Sequence, residues 1–209
     1  MPTVEQARAW YPTEDPVHGF DHVLRVMRSA EEIGDELGAD LEVLRAAALL
    51  HDAAGADPRE NRAEHENASA EFARETLAKD GWSPARIEAV VECILSHRYR
   101  GKQQPETLEA QILFDADKLD VIGAFGVART IGYAIQAGQP IFAEPSKSFR
   151  ASGEAEPDEP HSAYHEYLFK LRNVKTRLHT APAHRLAAER EKVLINFFEQ
   201  LAAEAHGDG

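Results

Sequence analysis

An all-α fold, organised as a single helical bundle, is predicted by three observations on this 209-residue chain. Apolar residues recur at spacings of three and four through most of its length. The stretches between them carry helix-starting and helix-stopping residues, and no segment of useful length alternates apolar with polar as a half-buried strand does. At 43% hydrophobic content the chain can bury one sizeable core, so one globular unit over residues 1–209 is expected.

The first clear helix spans residues 20–37. Phe20, Val23, Met27 and Ala30 share one stripe, His22, Val26 and Ile33 the stripe beside it, and Gly38 supplies a stop. Asp40 is a good N-cap for a second helix, which carries an apolar run to His51-Asp52 and ends near Gly55. Being apolar on every side, it is expected at the centre. Residues 57–62 are polar and read as a loop. A third helix follows over about residues 64–79, with His65 in its first turn and Asp80-Gly81 as its end. Ser83-Pro84 opens the fourth, an N-cap followed by proline at the first helical position. Its face of Ile87, Val90, Val91, Ile94 and Leu95 is extended by His97. After a loop with Gly101 and Pro105, Thr107 caps a fifth helix that holds Leu108, Ile112, Leu113, Phe114, Leu119, Val121 and Ile122.

Asp117 lies in that fifth helix with Leu113 and Val121 as its i−4 and i+4 neighbours, so it points inward and not into a solvated acidic face with Asp115 and Asp120. Residues 143–160 are rich in Pro, Ser, Gly and Glu and read as a long mobile loop or lid. Two C-terminal helices complete the chain over about residues 162–178 and 182–205. Tyr164, Leu168 and Leu171 stripe the first, and Leu186, Val193, Leu194, Phe197 and Leu201 the second.

Composition narrows the function. A net charge of −13 repels phosphate backbones, so general nucleic-acid binding is disfavoured, and a phosphorylated substrate would need local positive charge or a metal. The single cysteine, Cys93, excludes an internal disulfide framework and a thiolate zinc site, and fits a reducing compartment. No run approaches the ~20 apolar residues of a membrane span, and the first residues form no basic stretch followed by an apolar one. A cytoplasmic protein without membrane association is the expectation. Trp10, Trp82 and the apolar helix faces leave an oligomer open.

The most informative feature is the pair His51-Asp52 at the end of an apolar helix. A carboxylate among leucines is costly unless a hydrogen-bond network or a cation satisfies it. His22 and Asp117, on two other helices, offer matching ligands. Two imidazoles and two carboxylates make a mixed N/O set suited to a divalent transition metal such as Mn, Fe, Co, Ni or Zn, with positions left for water and substrate.

This spaced set, His22, His51-Asp52 and Asp117 on a helical core, resembles the HD-domain superfamily of metal-dependent phosphohydrolases. The resemblance covers residues 17–122 by motif. Looser similarity to small stand-alone bacterial members extends through Asp115 to Gly123 and His161 to Lys170. It implies an HD-domain bundle in which His22, His51, Asp52 and Asp117 hold the metal and activated water attacks a phosphoester, in a nucleotide or similar small phosphorylated molecule. His65 and His97 resemble intermediate histidines that in some members hold a second metal or contact phosphate. Asp52 would both ligate and position the nucleophile. Lys118, beside the last aspartate, with His65 and His97, would stabilise developing charge. Arg25, Lys118 and His97 are the candidate substrate contacts.

Arg98 and Arg100 read as solvated charges, His161 and His165 as surface or lid contacts, and His18, His179, His184 and His206 have no supporting constellation. Two other readings stay open: a di-iron oxygenase, kept alive by His65 and His97, and a non-catalytic nucleotide-binding regulator.

Overall fold

The structure, a computed structural model of the chain, describes residues 1–11, 19–54, 65–98 and 103–208. The loop expected at 57–62, the stop near Gly55, and His18, Arg100 and Gly101 lie outside the described residues. The fold is all-α: ten α-helices and one 3-10 helix, with no strand among the described residues. The contacts group into two compact units. The first comprises Met1–Lys118 with Leu178–Ala183, the second Leu119–Arg177 with His184–Gly209.

The first unit is built around the helix that the sequence makes apolar on all sides. Helix α1 (Val4–Arg8) is opened by a capping box in which Thr3 and Gln6 satisfy each other's backbone N–H groups. Helix α2 (Phe20–Leu37) ends at Gly38, which takes the left-handed φ of 72°. Helix α3 (Leu41–Leu50) starts at Asp40, whose carboxylate accepts from the Glu42 and Val43 amides. It packs against α2, against α4 (His65–Lys79) and α5 (Pro84–Ser96), and against α1.

That position explains its composition: Leu44, Ala46, Ala47, Ala48 and Leu50 are completely buried. Each buried leucine contributes roughly 1.5–3 kcal/mol. Gly34 of α2 permits the close approach, because a Cβ there would lie 2.5 Å from the Leu44 Cδ1 atom.

Two local expectations are revised in this unit. The apolar helix stops at Leu50, so His51 is its C-cap and Asp52 stands in the turn beyond it. Ser83 occupies the N-cap of α5 but makes no side-chain cap bond there, and Pro84 alone provides the favourable start. Helix α6 (Leu108–Leu119) begins where expected, with Thr107 Oγ1 accepting from the Ala110 amide. Its Asp115 is fully buried and accepts from the His179 and Thr180 amides and the Thr180 hydroxyl, at 2.7–2.9 Å. Burial pushes that carboxyl above its usual range, against the pull of those hydrogen bonds.

The second unit departs further from the sequence reading. The fifth helix does not run through Ile122. After Leu119 the chain turns, Gly123 at φ 73° opens a separate helix α7 (Gly123–Gln136), and a Cβ at Gly126 would lie 2.3 Å from the Val121 carbonyl oxygen. Arg190 takes the Leu119 carbonyl at 2.7 Å, and the buried Asp120 is paired with Arg129 at 2.7 Å.

Residues 143–160, read from composition as a loop, contain a helix α8 (Lys147–Ser152), capped by Ser146 and closed by Gly153 at φ 78°. The helix expected over 162–178 breaks at Lys170, giving α9 (Ala163–Phe169) and a 3-10 helix (Leu171–Arg177). Helix α10 (Ala181–His206) completes the unit. No helix among the described residues is long and apolar enough to cross a membrane.

Candidate metal centre

Five helices converge on one cluster. His22 comes from the inner face of α2, His51 and Asp52 from the end of α3, His65 from the first residue of α4, and His97 from the C-cap of α5; Asp117 and Lys118 close it from α6. His22 and His97 are nearly buried and His51 completely so, whereas the Asp52 side chain keeps 22% of its exposure. Neighbouring ring centroids are 5.5 Å apart for His22 and His51, 5.2 Å for His51 and His97, and 5.6 Å for His65 and His97.

Tautomers follow from the backbone. A carbonyl can only accept, so His51 Nδ1 donates to the Ala48 carbonyl at 2.8 Å and His97 Nδ1 donates to that of Ile94 at 2.5 Å. In the neutral rings the Nε2 atoms then carry lone pairs. His51 Nε2 lies 3.7 Å from Asp52 Oδ2, and His97 Nε2 and His65 Nε2 lie 3.6 and 3.3 Å from Asp52 Oδ1. These separations do not satisfy the atoms: His51 Nε2 and Asp52 Oδ1 are buried with no hydrogen-bond partner. An unbonded imidazole nitrogen close to an unbonded carboxylate oxygen asks for a cation between them.

Electrostatics point the same way. Burial holds the His51 imidazolium down to a pKa of about 4, despite the pull of Asp52, so the ring is neutral at neutral pH and available as a ligand. Burial alone would raise both carboxyls. For Asp52 the neighbouring His51, His65 and His97 rings, His51 first by its charge, outweigh it, and for Asp117 the Lys118 ammonium with His22 and His51 does so; both acids are held well below the usual carboxylate range. The centre therefore combines ionised acids with a neutral imidazole, the states in which these groups ligate.

Two ligand groups emerge, His22, His51 and Asp52, and Asp52, His65 and His97, each with its ligand atoms within 4.8 Å of one another. Asp52 belongs to both. Asp117 falls outside both groups but stands beside the first, its Oδ1 3.4 Å from His22 Nε2 and its other oxygen bound by Lys118. The nearly buried Lys118 ammonium also lies 5.2 Å over the Phe114 ring. Arg25, one turn beyond His22, is ion-paired with Asp21 at 2.5 Å.

Other histidines and arginines sort themselves. Arg98 is no plain solvated charge: it is half-buried and grips both oxygens of Glu66 at 3.0 Å, while Glu66 Oε2 lies 3.7 Å from His65 Nδ1. Glu66, which the sequence reading does not single out, thus backs the ring of His65. His165 is not a surface contact either but a completely buried residue of the second unit, whose Nδ1 meets Ser162 Oγ at 2.6 Å and whose Nε2 meets Glu159 at 3.0 Å. His161 is the exposed one, 3.9 Å from Glu166. His179 packs its ring on Phe114, and His206 pairs with Glu144 at 2.7 Å.

A helical core bearing this histidine-aspartate cluster defines a class. Residues 19–122 match the model of the HD domain, and the chain belongs to the HD-domain superfamily. It is 29% identical over 211 residues to the uncharacterized protein YpgQ of Bacillus subtilis, covering 97% of this chain and 94% of that protein. The crystal structure of YpgQ in complex with ADP superposes with a TM-score of 0.75 at 26% identity, over 99% of this chain and 100% of that one. A Lactobacillus plantarum protein is similar with a TM-score of 0.77 at 26% identity, over all of both chains. A predicted HD superfamily hydrolase from an uncultured Thermotogales bacterium gives a TM-score of 0.65 at 26% identity, over 96% of this chain and 90% of that one.

Proposed function

We propose that this chain is a metal-dependent phosphohydrolase that cleaves a phosphoester of a nucleotide or similar small phosphorylated molecule with an activated water. The observation that carries the reading is the pair of orphaned buried atoms, His51 Nε2 and Asp52 Oδ1, at the meeting point of four imidazoles and a carboxylate. His22, His51, Asp52 and Asp117 would hold the ion, and His65 and His97 with Asp52 a second one. A bound divalent ion of the Mn, Fe, Co, Ni or Zn type would supply Lewis acidity, lowering the pKa of water and offsetting charge on phosphoryl oxygens. That relative YpgQ was crystallised with ADP supports a nucleotide as the substrate class.

The chain's own groups divide the remaining tasks. Asp52, partly exposed and ionised, accepts a hydrogen bond from the attacking water and orients it. Lys118, its nearly buried ammonium on Asp117, would stabilise the charge that builds on the phosphoryl oxygens. His97 and His65 line the other side of Asp52, and Arg25 extends positive charge along α2 for substrate binding. Asp52→Ala and His51→Ala test this directly. If either retains both bound metal and full activity in a screen of nucleoside mono-, di- and triphosphates, dinucleotides and cyclic dinucleotides, the reading fails.

One observation favours a second reading. Asp52 is shared by two ligand groups, an arrangement that also suits a pair of irons in an oxygenase. Elemental analysis of the purified protein, with oxygen uptake followed as candidate substrates are added, separates the two.

A further inference from the structure

The turn that carries His51-Asp52 is held from both sides by hydroxyl groups of residues outside the ligand set. In the last turn of α3 the Ala53 amide bonds to the Leu50 carbonyl at 3.2 Å, in the tightened i−3 pattern, and the carbonyl of Leu49 accepts instead from the hydroxyl of Tyr11 at 3.0 Å. Tyr11 is 38 residues away in sequence. Its side chain is buried in a cluster with Ala7, Phe20, Val23 and Leu49, its ring 5.4 Å from that of Phe20.

On the far side of the pair stands Ser69, fully buried on α4 one turn beyond His65. Its hydroxyl accepts from the Ala54 amide at 3.2 Å and donates to the Ala54 carbonyl at 2.9 Å, so one side chain takes both backbone groups of one residue.

We infer that Tyr11 and Ser69 are positioning residues of the metal centre, a two-sided clamp that fixes the backbone of residues 49–54 so that His51 Nε2 and Asp52 Oδ1 are aimed into the cluster before any ion arrives. This rests on the metal-centre reading above. The physical need is specific: an i−3 turn past the end of a helix has few bonds of its own, and two adjacent side chains must project from it in fixed directions. Donor atoms preset by their supporting contacts bind a cation without a reordering cost, and loss of such contacts typically weakens metal binding about 10–100-fold. The Ser69 bond further ties the turn to the helix that presents His65, so both ligand groups are set by one clamp.

The test uses the full chain, stripped of metal and titrated with Co²⁺ alone, whose visible absorption reports the geometry of its ligands. Tyr11→Phe removes one hydroxyl and keeps the ring; Ser69→Ala removes the other. Each is expected to weaken Co²⁺ binding about tenfold and to alter the spectrum. In the metal-free protein, hydrogen exchange of the Ala53 and Ala54 amides is expected to speed up without matching acceleration in α5. Val90→Ala, a buried change on α5 that removes no hydrogen bond to the turn, lowers the thermal midpoint and leaves the spectrum alone.

Tyr11→Phe and Ser69→Ala proteins that bind Co²⁺ with wild-type affinity and spectrum overturn the inference, as does a Val90→Ala protein that loses binding to the same extent. A wild-type chain that gives no Co²⁺ spectrum at all overturns the metal centre itself, and the clamp with it.

Discussion

Among the described residues, two buried histidine-carboxylate clusters, one in each compact unit, solve the same desolvation problem in opposite ways. Around His165 the account closes: its two ring nitrogens meet Ser162 and Glu159, and the Glu159 oxygens also accept from the Ser146 and Glu156 amides at 2.7 Å. Around His51 and Asp52 it stays open, with a ring nitrogen and a carboxylate oxygen buried and unbonded. A buried imidazole next to an acid is therefore not by itself a metal signal. What distinguishes a structural cluster from a functional one is whether the polar atoms are spent on each other or left converging on a common point.

The sharpest way to break that contrast is to remove the carboxylate from each. Asp52→Ala is expected to weaken Mn²⁺ or Co²⁺ binding by at least about a hundredfold in calorimetric titration and to abolish phosphoester hydrolysis, because both ligand groups lose their shared member. Glu159→Gln leaves both readouts at the wild-type level. Equal effects of the two changes would erase the distinction.

Metal loading gives the next largest effect. An ion bound only to the folded state at a hundred times its dissociation constant stabilises by about 2.7 kcal/mol. The thermal midpoint is accordingly expected to rise with added metal, to return on chelation, and to stay unmoved in His51→Ala.

The closed cluster should respond in stability alone. His165→Ala removes the ring's two buried bonds, to Ser162 Oγ and Glu159 Oε1, an expected cost of about 1–3 kcal/mol in urea unfolding followed by circular dichroism, with unchanged metal affinity. His161→Ala, at an exposed neighbour, is expected to stay within about 0.5 kcal/mol.

Acid gives the smallest and most selective test. The Ser146 amide first, then the Glu156 amide and His165, hold the Glu159 carboxyl down to about 2. A depressed acid contributes its full stabilisation above its unfolded pKa, about 4.3, and loses it as pH falls toward the folded value. A component of the stability profile lost between pH 4.5 and 2 is therefore expected in the wild type and absent in Glu159→Gln; identical profiles would show that those bonds stabilise nothing.

Much of the first unit is legible in the chain itself. Helices α2, α4 and α5 start and stop within a residue of where the periodicity and the Gly38, Asp80-Gly81 and Pro84 signals place them, because apolar spacing and terminal chemistry act locally. The ligand residues are legible for a related reason: a polar pair at the end of an apolar helix is anomalous in sequence before it is seen in space.

The second unit is less readable. Helix α7 hides behind Gly123, Gly126 and Gly132, which lower its propensity. The short helix α8 hides in a segment whose Pro, Ser and Glu content reads as loop while its order depends on Glu159, a residue reaching back 13 positions to Ser146. Local signals are present too, in the capping box of α1, Thr3 with Gln6, and in the Ser146 and Gly153 caps of α8.

The amino-acid sequence by itself determined that this is an all-α protein and that His22, His51, Asp52, His65, His97 and Asp117 fall where helices can present them, since periodicity and helix ends are properties of neighbouring residues. The tertiary structure alone decided that Asp52 stands between two histidine groups, that His165 is a spent structural residue while His51 is not, and that Tyr11 and Ser69 grip the turn between them. Those facts depend on burial and on bonds between distant residues, the Tyr11–Leu49 bond alone reaching across 38, and no local pattern encodes which buried polar atom finds a partner.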